Sequence, residues 1–265
     1  MLHASWKTFK IWFTMFVNRE VPLPVPSSLS IAGKSLHSLL VVKTPEPDNP
    51  PATAGALVIS TGQTISDWQA AALFLTRNRQ GTGGTPLLVL VDSTLDHDAL
   101  DERLEILMPA RPDGIILTGV REGADLQRLD VALSVAEAMA GREPGETAVV
   151  AMIGDNAAGL LAAGNFADRT PRLRALGHNA TALAVALGVE NSPHHQSADG
   201  SRALSRGLTI LGAAKAGVAA LDWLAPTLAG DDLQRACIEA RHAGFAALIT
   251  ENPDQLAAIT AAYYG

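Results

Sequence analysis

Polar residues stand at the ends of several short apolar runs in this sequence, and they are its candidates for chemistry. They are Ser60, Asp92, Thr118, Asp155, His178, Asn179 and Asp222. If the runs are parallel strands of a barrel, their carboxyl ends lie at one mouth, where such folds place their sites. These residues are therefore the predicted substrate pocket, although no catalytic residue is assigned.

Each candidate also has a structural interpretation. Asp155 and Asn156 precede a helical stretch and fit a helix cap, while Asp92 fits a cap or turn. Asp222 follows an apolar run and could bond a neighbouring loop, as buried carboxylates generally must. A lone histidine such as His178 more often satisfies a structural role than a chemical one. Both interpretations remain open from the sequence.

Other chemistry finds little support. His194 and His195 are adjacent in a polar stretch after Pro193, which indicates a solvated loop. The single cysteine, Cys237, excludes an intrachain disulfide and a cysteine-based metal site. The glycine-rich residues 81–84 precede a strand and open no helix, so they form no phosphate cradle. No serine, histidine and acid occur in a nucleophile-elbow context.

The composition is that of a folded protein. The chain has 265 residues, 48% of them apolar and 18% charged, which excludes a wholly disordered chain. Its net charge of −7 predicts no basic patch, so no nucleic-acid partner is expected. One free cysteine fits a reducing compartment, and the expected location is the cytoplasm.

Apolar runs alternate with helical stretches over residues 36–265. The runs are 38–42, 56–60, 86–92, 114–120, 148–155, 173–177, 219–224 and 245–250. Several are continuous, which is typical of parallel strands covered on both faces. Eight such units predict a (β/α)8 TIM barrel, and an open doubly wound sheet is the alternative. Four prolines in residues 44–54 predict an irregular first crossover.

The first 20 residues differ from the rest. Their aromatic stripe has helical spacing and consists of Trp6, Phe9, Phe13 and Phe16. The sequence predicts an amphipathic helix over 1–20 and a proline-rich linker over 21–35. The apolar stretch 11–17 is too short to span a membrane. The stripe predicts packing on its own domain or a neighbouring subunit, hence a homo-oligomer, and a membrane-surface anchor is the alternative.

Motifs from about residue 36 onward resemble the citrate lyase beta subunit family, also called the HpcH/HpaI aldolase family. Residues 208–222, LTILGAAKAGVAALD, resemble the family's vlaAraaGlpaiD. Residues 112–120, PDGIILTGV, resemble pDgimLPKv, and 252–256, NPDQL, resemble HPnQi. The resemblance implies a (β/α)8 barrel that makes or breaks C–C bonds in 2-oxo acids or acyl-CoA thioesters with Mg²⁺.

The sequence departs from that family where the chemistry lies. The metal-binding glutamate aligns with Asp155 or Gly154, and the metal-binding aspartate falls within 179–182, which holds no carboxylate. The acidic motif after the second strand becomes 59–65, also without a carboxylate. Only Asp155 remains as a candidate metal ligand. The substrate arginine, the lysine of LPK and the C-terminal lid of longer members are likewise not matched.

Two hypotheses follow from this pattern. In the first, the chain is a pseudoenzyme of the family, a binding or assembly protein that needs no cofactor and pairs with itself or with an active paralogue. In the second, it remains a Mg-dependent C–C lyase or aldolase. Whether the chain is an enzyme stays open between them, because the resemblance favours the second and the missing acids favour the first.

Overall fold

The computed structural model describes residues 28–43, 53–81, 84–189 and 196–264. Eight parallel strands close into a barrel in which the last strand pairs with the first. In chain order they are β3 (Ser38–Lys43), β4 (Ala56–Ser60), β5 (Leu87–Asp92), β6 (Gly114–Thr118), β7 (Ala148–Gly154), β8 (Leu173–Asn179), β9 (Ala219–Trp223) and β10 (Ala247–Thr250). The predicted TIM barrel is confirmed, and the open sheet is excluded.

Helices surround the barrel and follow the strands. They are α1 (Ile65–Gly81), α2 (His97–Leu107), α3 (Gly123–Met139), α4 (Ala157–Leu161), α5 (Ala180–Ala186), α6 (Gln196–Ala216), α7 (Gly230–Ala243) and α8 (Leu256–Tyr264). Short 3₁₀ turns lie at Met108–Ala110, Ala163–Asn165 and Pro253–Gln255. Local chemistry sets several ends, since the Asp96 side chain accepts from the Ala99 N–H and Gly244 ends α7 at φ 110°.

Alternation along the strands divides the core into two layers. In β3, Leu39 and Val41 belong to the cluster inside the barrel, while Leu40 and Val42 belong to the cluster under the helices. Successive strand side chains point to opposite faces. The same alternation decides which residue at each carboxyl end faces the mouth and which faces the helix layer.

A β-hairpin precedes the barrel. Its strands are β1 (Leu29–Ile31) and β2 (Lys34–Leu36), joined by a turn at Ala32 and Gly33 with φ values of 50° and 74°. Leu29, Ile31 and Leu36 are buried with the inner cluster. Part of the predicted linker 21–35 is thus a folded element that covers the amino-terminal end of the barrel. The three apolar side chains explain why this stretch folds.

An ion-pair network ties α3 to the amino-terminal end of β8. The Arg172 guanidinium bonds Glu137 at 2.8 Å and Asp130 at 2.5 Å. Burial alone would raise the pKa of Glu137, but hydrogen bonds from Arg172, Thr147 and Gly145 lower it to about 2. The buried carboxylate is therefore held ionised.

Several predictions fall on residues outside the described ranges. These are the helix over 1–20, the linker up to residue 27, most of the first crossover, and His194 and His195. Among the described helices, none is long and apolar enough to cross a membrane.

Candidate functional site

The carboxyl ends of the strands place a ring of mostly polar side chains on the inward face, which we call the mouth ring. It consists of Lys43, Ser60, Asp92, Thr118, Asn179 and Trp223. Strand register sets neighbours in the ring, with Lys43 beside Ser60, Asp92 beside Thr118, and Asn179 beside Trp223. Four of the predicted pocket residues therefore meet here.

Asp155 follows β7 and joins two loops at the mouth. One carboxylate oxygen accepts the Gly119 N–H at 2.6 Å, and the other accepts the Asn156 side-chain amide at 2.8 Å. Burial raises the pKa of Asp155, these hydrogen bonds and one from its own backbone N–H oppose that rise, and repulsion from Asp92 adds to it. The cap of α4 is Asn156, whose side chain accepts from the Gly159 N–H.

Gly119 is held from both sides by neighbouring loops. Its N–H donates to Asp155, and its carbonyl accepts the Ser93 hydroxyl at 2.6 Å. Its φ is 68°, and a Cβ there would lie 3.2 Å from the Ser93 Oγ and 3.4 Å from an Asp92 oxygen. A glycine is needed where the resembled family has a lysine, because both the backbone angle and the space disfavour a side chain.

Asp92 forms a local turn. Its Oδ1 accepts the backbone N–H of Thr94 at 2.8 Å and the hydroxyl of Thr94 at 2.7 Å. This is the turn geometry that an aspartate favours after a strand. Asp92 is exposed, so it presents its charge to the mouth while holding the loop.

His178 and Asp222 lie on the opposite side of the barrel wall from the mouth ring. His178 bonds Asp222 at 2.8 Å through Nδ1 and the Ser205 hydroxyl at 2.9 Å through Nε2. Arg206 donates to the other Asp222 oxygen at 2.5 Å. Because Ser205 and Arg206 belong to α6, this buried network joins β8 and β9 to the helix layer.

That network has a serine–histidine–aspartate order, yet it lacks the access of a hydrolytic triad. His178 and Ser205 are buried, and the Ser205 hydroxyl also lies 2.9 Å from the Arg202 carbonyl. Arg206 covers one side and sits 4.8 Å from the centre of the Phe245 ring. Its geometry is that of a structural anchor for α6.

The mouth is poor in ligands for the Mg²⁺ site that the resemblance implies. Mg²⁺ takes oxygen ligands in near-octahedral geometry, usually with one or two carboxylates. Both oxygens of Asp155 accept hydrogen bonds from the protein, and Asp92 is the other carboxylate of the candidate pocket at this mouth. Within the described ranges, no group of three or more histidine, cysteine or acidic side chains could hold a metal ion.

Sequence reasoning missed two residues of the ring, Lys43 and Trp223. The predicted first strand stops at residue 42, whereas β3 continues to Lys43 and pairs it with Ser60. Trp223 could have been predicted, because it directly follows Asp222 in a predicted strand and successive side chains face opposite sides of the sheet. Reading each strand end for alternation would have selected Trp223 and left Asp222 out.

Solved structures share the fold. RipC from Yersinia pestis is 21% identical, with 86% of this chain and 94% of that chain covered at a TM-score of 0.65. A citrate lyase beta subunit from Mycobacterium tuberculosis, complexed with oxaloacetate and magnesium, is 19% identical, with 87% and 97% covered at 0.61. Haloferax volcanii malate synthase, in a magnesium and glyoxylate complex, is 15% identical, with 85% and 74% covered at 0.67.

No protein-family model matches the chain, and no curated protein matches it. The similarity to solved structures therefore shows the fold alone. The chain has the barrel fold seen in citrate lyase beta subunits, as the sequence resemblance predicted.

Proposed function

We propose that this chain is a diverged barrel of the citrate lyase beta and HpcH/HpaI type that binds a small ligand, or supports an assembly, without metal-dependent C–C cleavage. The observation that carries the proposal is that the Asp155 carboxylate is hydrogen-bonded within the mouth. Both of its oxygens are engaged by Gly119 and Asn156, so the carboxylate holds the loops of the mouth together.

Metal-dependent C–C cleavage requires stabilisation of an enolate. Cleaving a C–C bond beside a 2-oxo group leaves an enolate, which a metal stabilises as a Lewis acid. Removing one such electrostatic stabiliser typically costs about 3 kcal/mol, or more than a hundredfold in rate. The mouth ring has neutral groups at Ser60, Thr118 and Asn179 and provides no arginine. Losses at two or three such positions would abolish useful turnover.

The ring still supports binding. Lys43 offers an ammonium group for an anionic substituent, Ser60 and Thr118 offer hydroxyls, and Trp223 offers an aromatic face. A few polar groups around an apolar surface are typical of small-molecule sites. The ligand this favours is a small, neutral or weakly anionic molecule. The expected setting is the cytoplasm, with a second copy or an active paralogue as partner.

The second candidate function is a Mg-dependent lyase or aldolase that acts on 2-oxo acids or acyl-CoA thioesters. The observation that favours it is the shared fold with a citrate lyase beta subunit solved with oxaloacetate and magnesium. Asp155 would then be the metal ligand, through the lone pairs that its bonds to Gly119 and Asn156 leave free.

Calorimetry and turnover separate the two functions. We expect no Mg²⁺ binding with or without oxaloacetate, and no cleavage of citramalyl- or malyl-type thioesters. Asp155→Ala should match the unmodified chain in turnover, with Asp98→Ala on the surface of α2 as control. Metal-dependent cleavage that Asp155→Ala abolishes and Asp98→Ala leaves intact would establish the lyase and overturn the proposal.

A further inference from the structure

Two charged side chains of opposite sign stand on one side of the mouth ring. Lys43 ends β3 and Asp92 ends β5, and Ser60 ends the strand between them. Both charged residues are exposed. They face the mouth because the residues two positions earlier, Val41 and Leu90, pack in or against the inner cluster. This wall of the mouth therefore presents a cation, a hydroxyl and an anion in that order.

The strand register sets the distance between the two charges. Lys43 pairs with Ser60 on the neighbouring strand. Ser60 is level with Leu90 on β5, by the pairing of the residues that precede them, and Asp92 lies two residues further along. Strands about 4.8 Å apart with a rise of about 3.3 Å per residue place the Cα atoms of Lys43 and Asp92 about 12 Å apart. A small molecule fits between the two side chains, above the apolar side chain of Leu90.

The acidic end of this wall brings two carboxylates together. Asp92 Oδ1 accepts both bonds from Thr94, and within the described ranges Oδ2 accepts none. Asp155 comes close from the loop after β7, because its carboxylate accepts the Gly119 N–H, and a Cβ on Gly119 would lie 3.4 Å from Asp92 Oδ1. Repulsion from Asp92 contributes to the raised pKa of Asp155.

No cation of the protein relieves this repulsion among the residues that the structure describes. Neither Asp92 nor Asp155 forms an ion pair there with a lysine, arginine or histidine. An ammonium group placed at Asp92 would reduce the repulsion and gain a charge-assisted hydrogen bond.

We propose that the mouth binds a small amino acid whose ammonium and carboxylate groups are separated by a short methylene chain. The ammonium group lies at Asp92 beside Asp155, and the carboxylate lies at Lys43 with the Ser60 hydroxyl next to it. The methylene groups lie over Leu90. The inference rests on the proposed function, since it names the ligand class of the same mouth.

The charges favour such a zwitterion over a dicarboxylic 2-oxo acid. The mouth ring offers one cation, Lys43, so it neutralises one carboxylate. A second carboxylate would meet Asp92, and like charges at a protein surface repel more strongly than in bulk water. A zwitterion places each charge against an opposite one, which gives specificity. The separation of Lys43 and Asp92 favours a chain longer than that of an α-amino acid, whose two charged groups share one carbon neighbour.

Isothermal titration calorimetry of the full chain with 4-aminobutanoate tests the proposal. We expect this ligand to bind at least about tenfold more tightly than butanoate, which lacks the ammonium group, or butylamine, which lacks the carboxylate. The acetylated analogue, 4-acetamidobutanoate, keeps the chain and removes the positive charge, so it should bind no better than butanoate. Equal binding of 4-aminobutanoate and its acetylated analogue, or no binding of 4-aminobutanoate, overturns the proposal.

Two variants locate the charges of the ligand. Asp92→Asn keeps an Oδ1 that can accept from Thr94 and removes the charge, so it should weaken 4-aminobutanoate at least about tenfold and leave butanoate unchanged. Lys43→Met should weaken both ligands. Asp98→Asn is the matched control at an exposed carboxylate of α2 and should change neither. Unchanged binding of 4-aminobutanoate to Asp92→Asn overturns the proposal.

Two further results distinguish a wrong ligand from a wrong function. Tighter binding of pyruvate than of 4-aminobutanoate, lost in Lys43→Met, would overturn the zwitterion and leave the non-catalytic binding barrel in place. Magnesium-dependent C–C cleavage that Asp155→Ala abolishes would overturn the proposed function, and the inference built on it, through turnover and not through calorimetry.

Discussion

The two ends of the barrel shift the pKa of a carboxylate in opposite directions. At the amino-terminal end, Glu137 is fully buried beside the Arg172 guanidinium, and its pKa falls to about 2. At the mouth, partial burial raises the pKa of Asp155, and its donors are all neutral: the Gly119 N–H, the Asn156 amide and its own backbone N–H. Hydrogen bonds from a guanidinium outweigh the cost of burying Glu137, whereas the neutral donors around Asp155 do not offset its burial.

This difference agrees with a division of roles between the two ends of the barrel. In such barrels the amino-terminal end serves stability and the carboxyl ends of the strands serve activity. Here the amino-terminal end has the hairpin over the core and the Arg172 network. The mouth has a ring of mostly neutral groups, and the half-buried Asp155 beside it holds two loops together. The predictions below test this division, from the largest expected effect to the smallest.

Breaking the ion pair should give the largest effect. Arg172→Ala leaves Glu137 buried without its partner, which typically costs about 3–5 kcal/mol. Denaturant unfolding followed by circular dichroism measures the loss. The double change Arg172→Met with Glu137→Leu should recover part of it, since the fully buried charge is gone and Asp130, which also loses its partner, is partly exposed to water. A loss below about 1 kcal/mol in Arg172→Ala would show that the pair contributes little.

The free energy of unfolding should depend on pH through Glu137 at one end of the barrel and Asp155 at the other. Glu137 has a folded-state pKa near 2 against an ordinary 4.5, so its contribution is complete above pH 4.5 and is lost as pH falls towards 2. Asp155 changes the free energy of unfolding in the opposite direction. Because its pKa is raised in the folded state, its protonation as pH falls stabilises the fold. Unfolding titrations should show a steep loss below pH 4.5 that Glu137→Gln flattens. An unchanged slope in that variant would contradict the assignment.

Gly119→Ala should have an intermediate effect. A left-handed backbone costs an L-residue about 1–2 kcal/mol, and the new Cβ would also press on the Ser93 hydroxyl at 3.2 Å. Gly141 is a matched control with the same φ of 68° and nothing within 4 Å. Gly119→Ala should therefore cost more than Gly141→Ala in thermal unfolding. Equal costs would mean that the contacts at the mouth are not tight.

Lys43→Met should change stability least, by less than about 0.5 kcal/mol, because the side chain is exposed. Its effect should appear in binding. If the ring recognises a weakly anionic ligand, the shift in unfolding temperature induced by pyruvate should fall several-fold. Lys215→Met on α6 is the control and should leave that shift unchanged. An equal shift in both variants would remove Lys43 from the site.

Much of the fold follows from local pattern. Every predicted strand run overlaps a barrel strand, since continuous apolar runs bounded by polar residues and turns need no distant information. The turn at Asp92 and the cap at Asn156 could also be predicted from the sequence, because their hydrogen bonds join residues no more than three positions apart. The hairpin was missed because the prolines before it predicted a linker through to residue 35.

Tertiary structure alone decided the chemistry of the candidates. Asp155 meets Gly119, 36 positions earlier, and His178 meets Asp222, 44 positions later. Closing the barrel creates both contacts, and no local pattern encodes them. The sequence by itself determined which residues stand at the strand ends. Whether each faces the mouth or the helices depends on the exact strand boundaries and register, because one residue of shift turns a side chain to the other face.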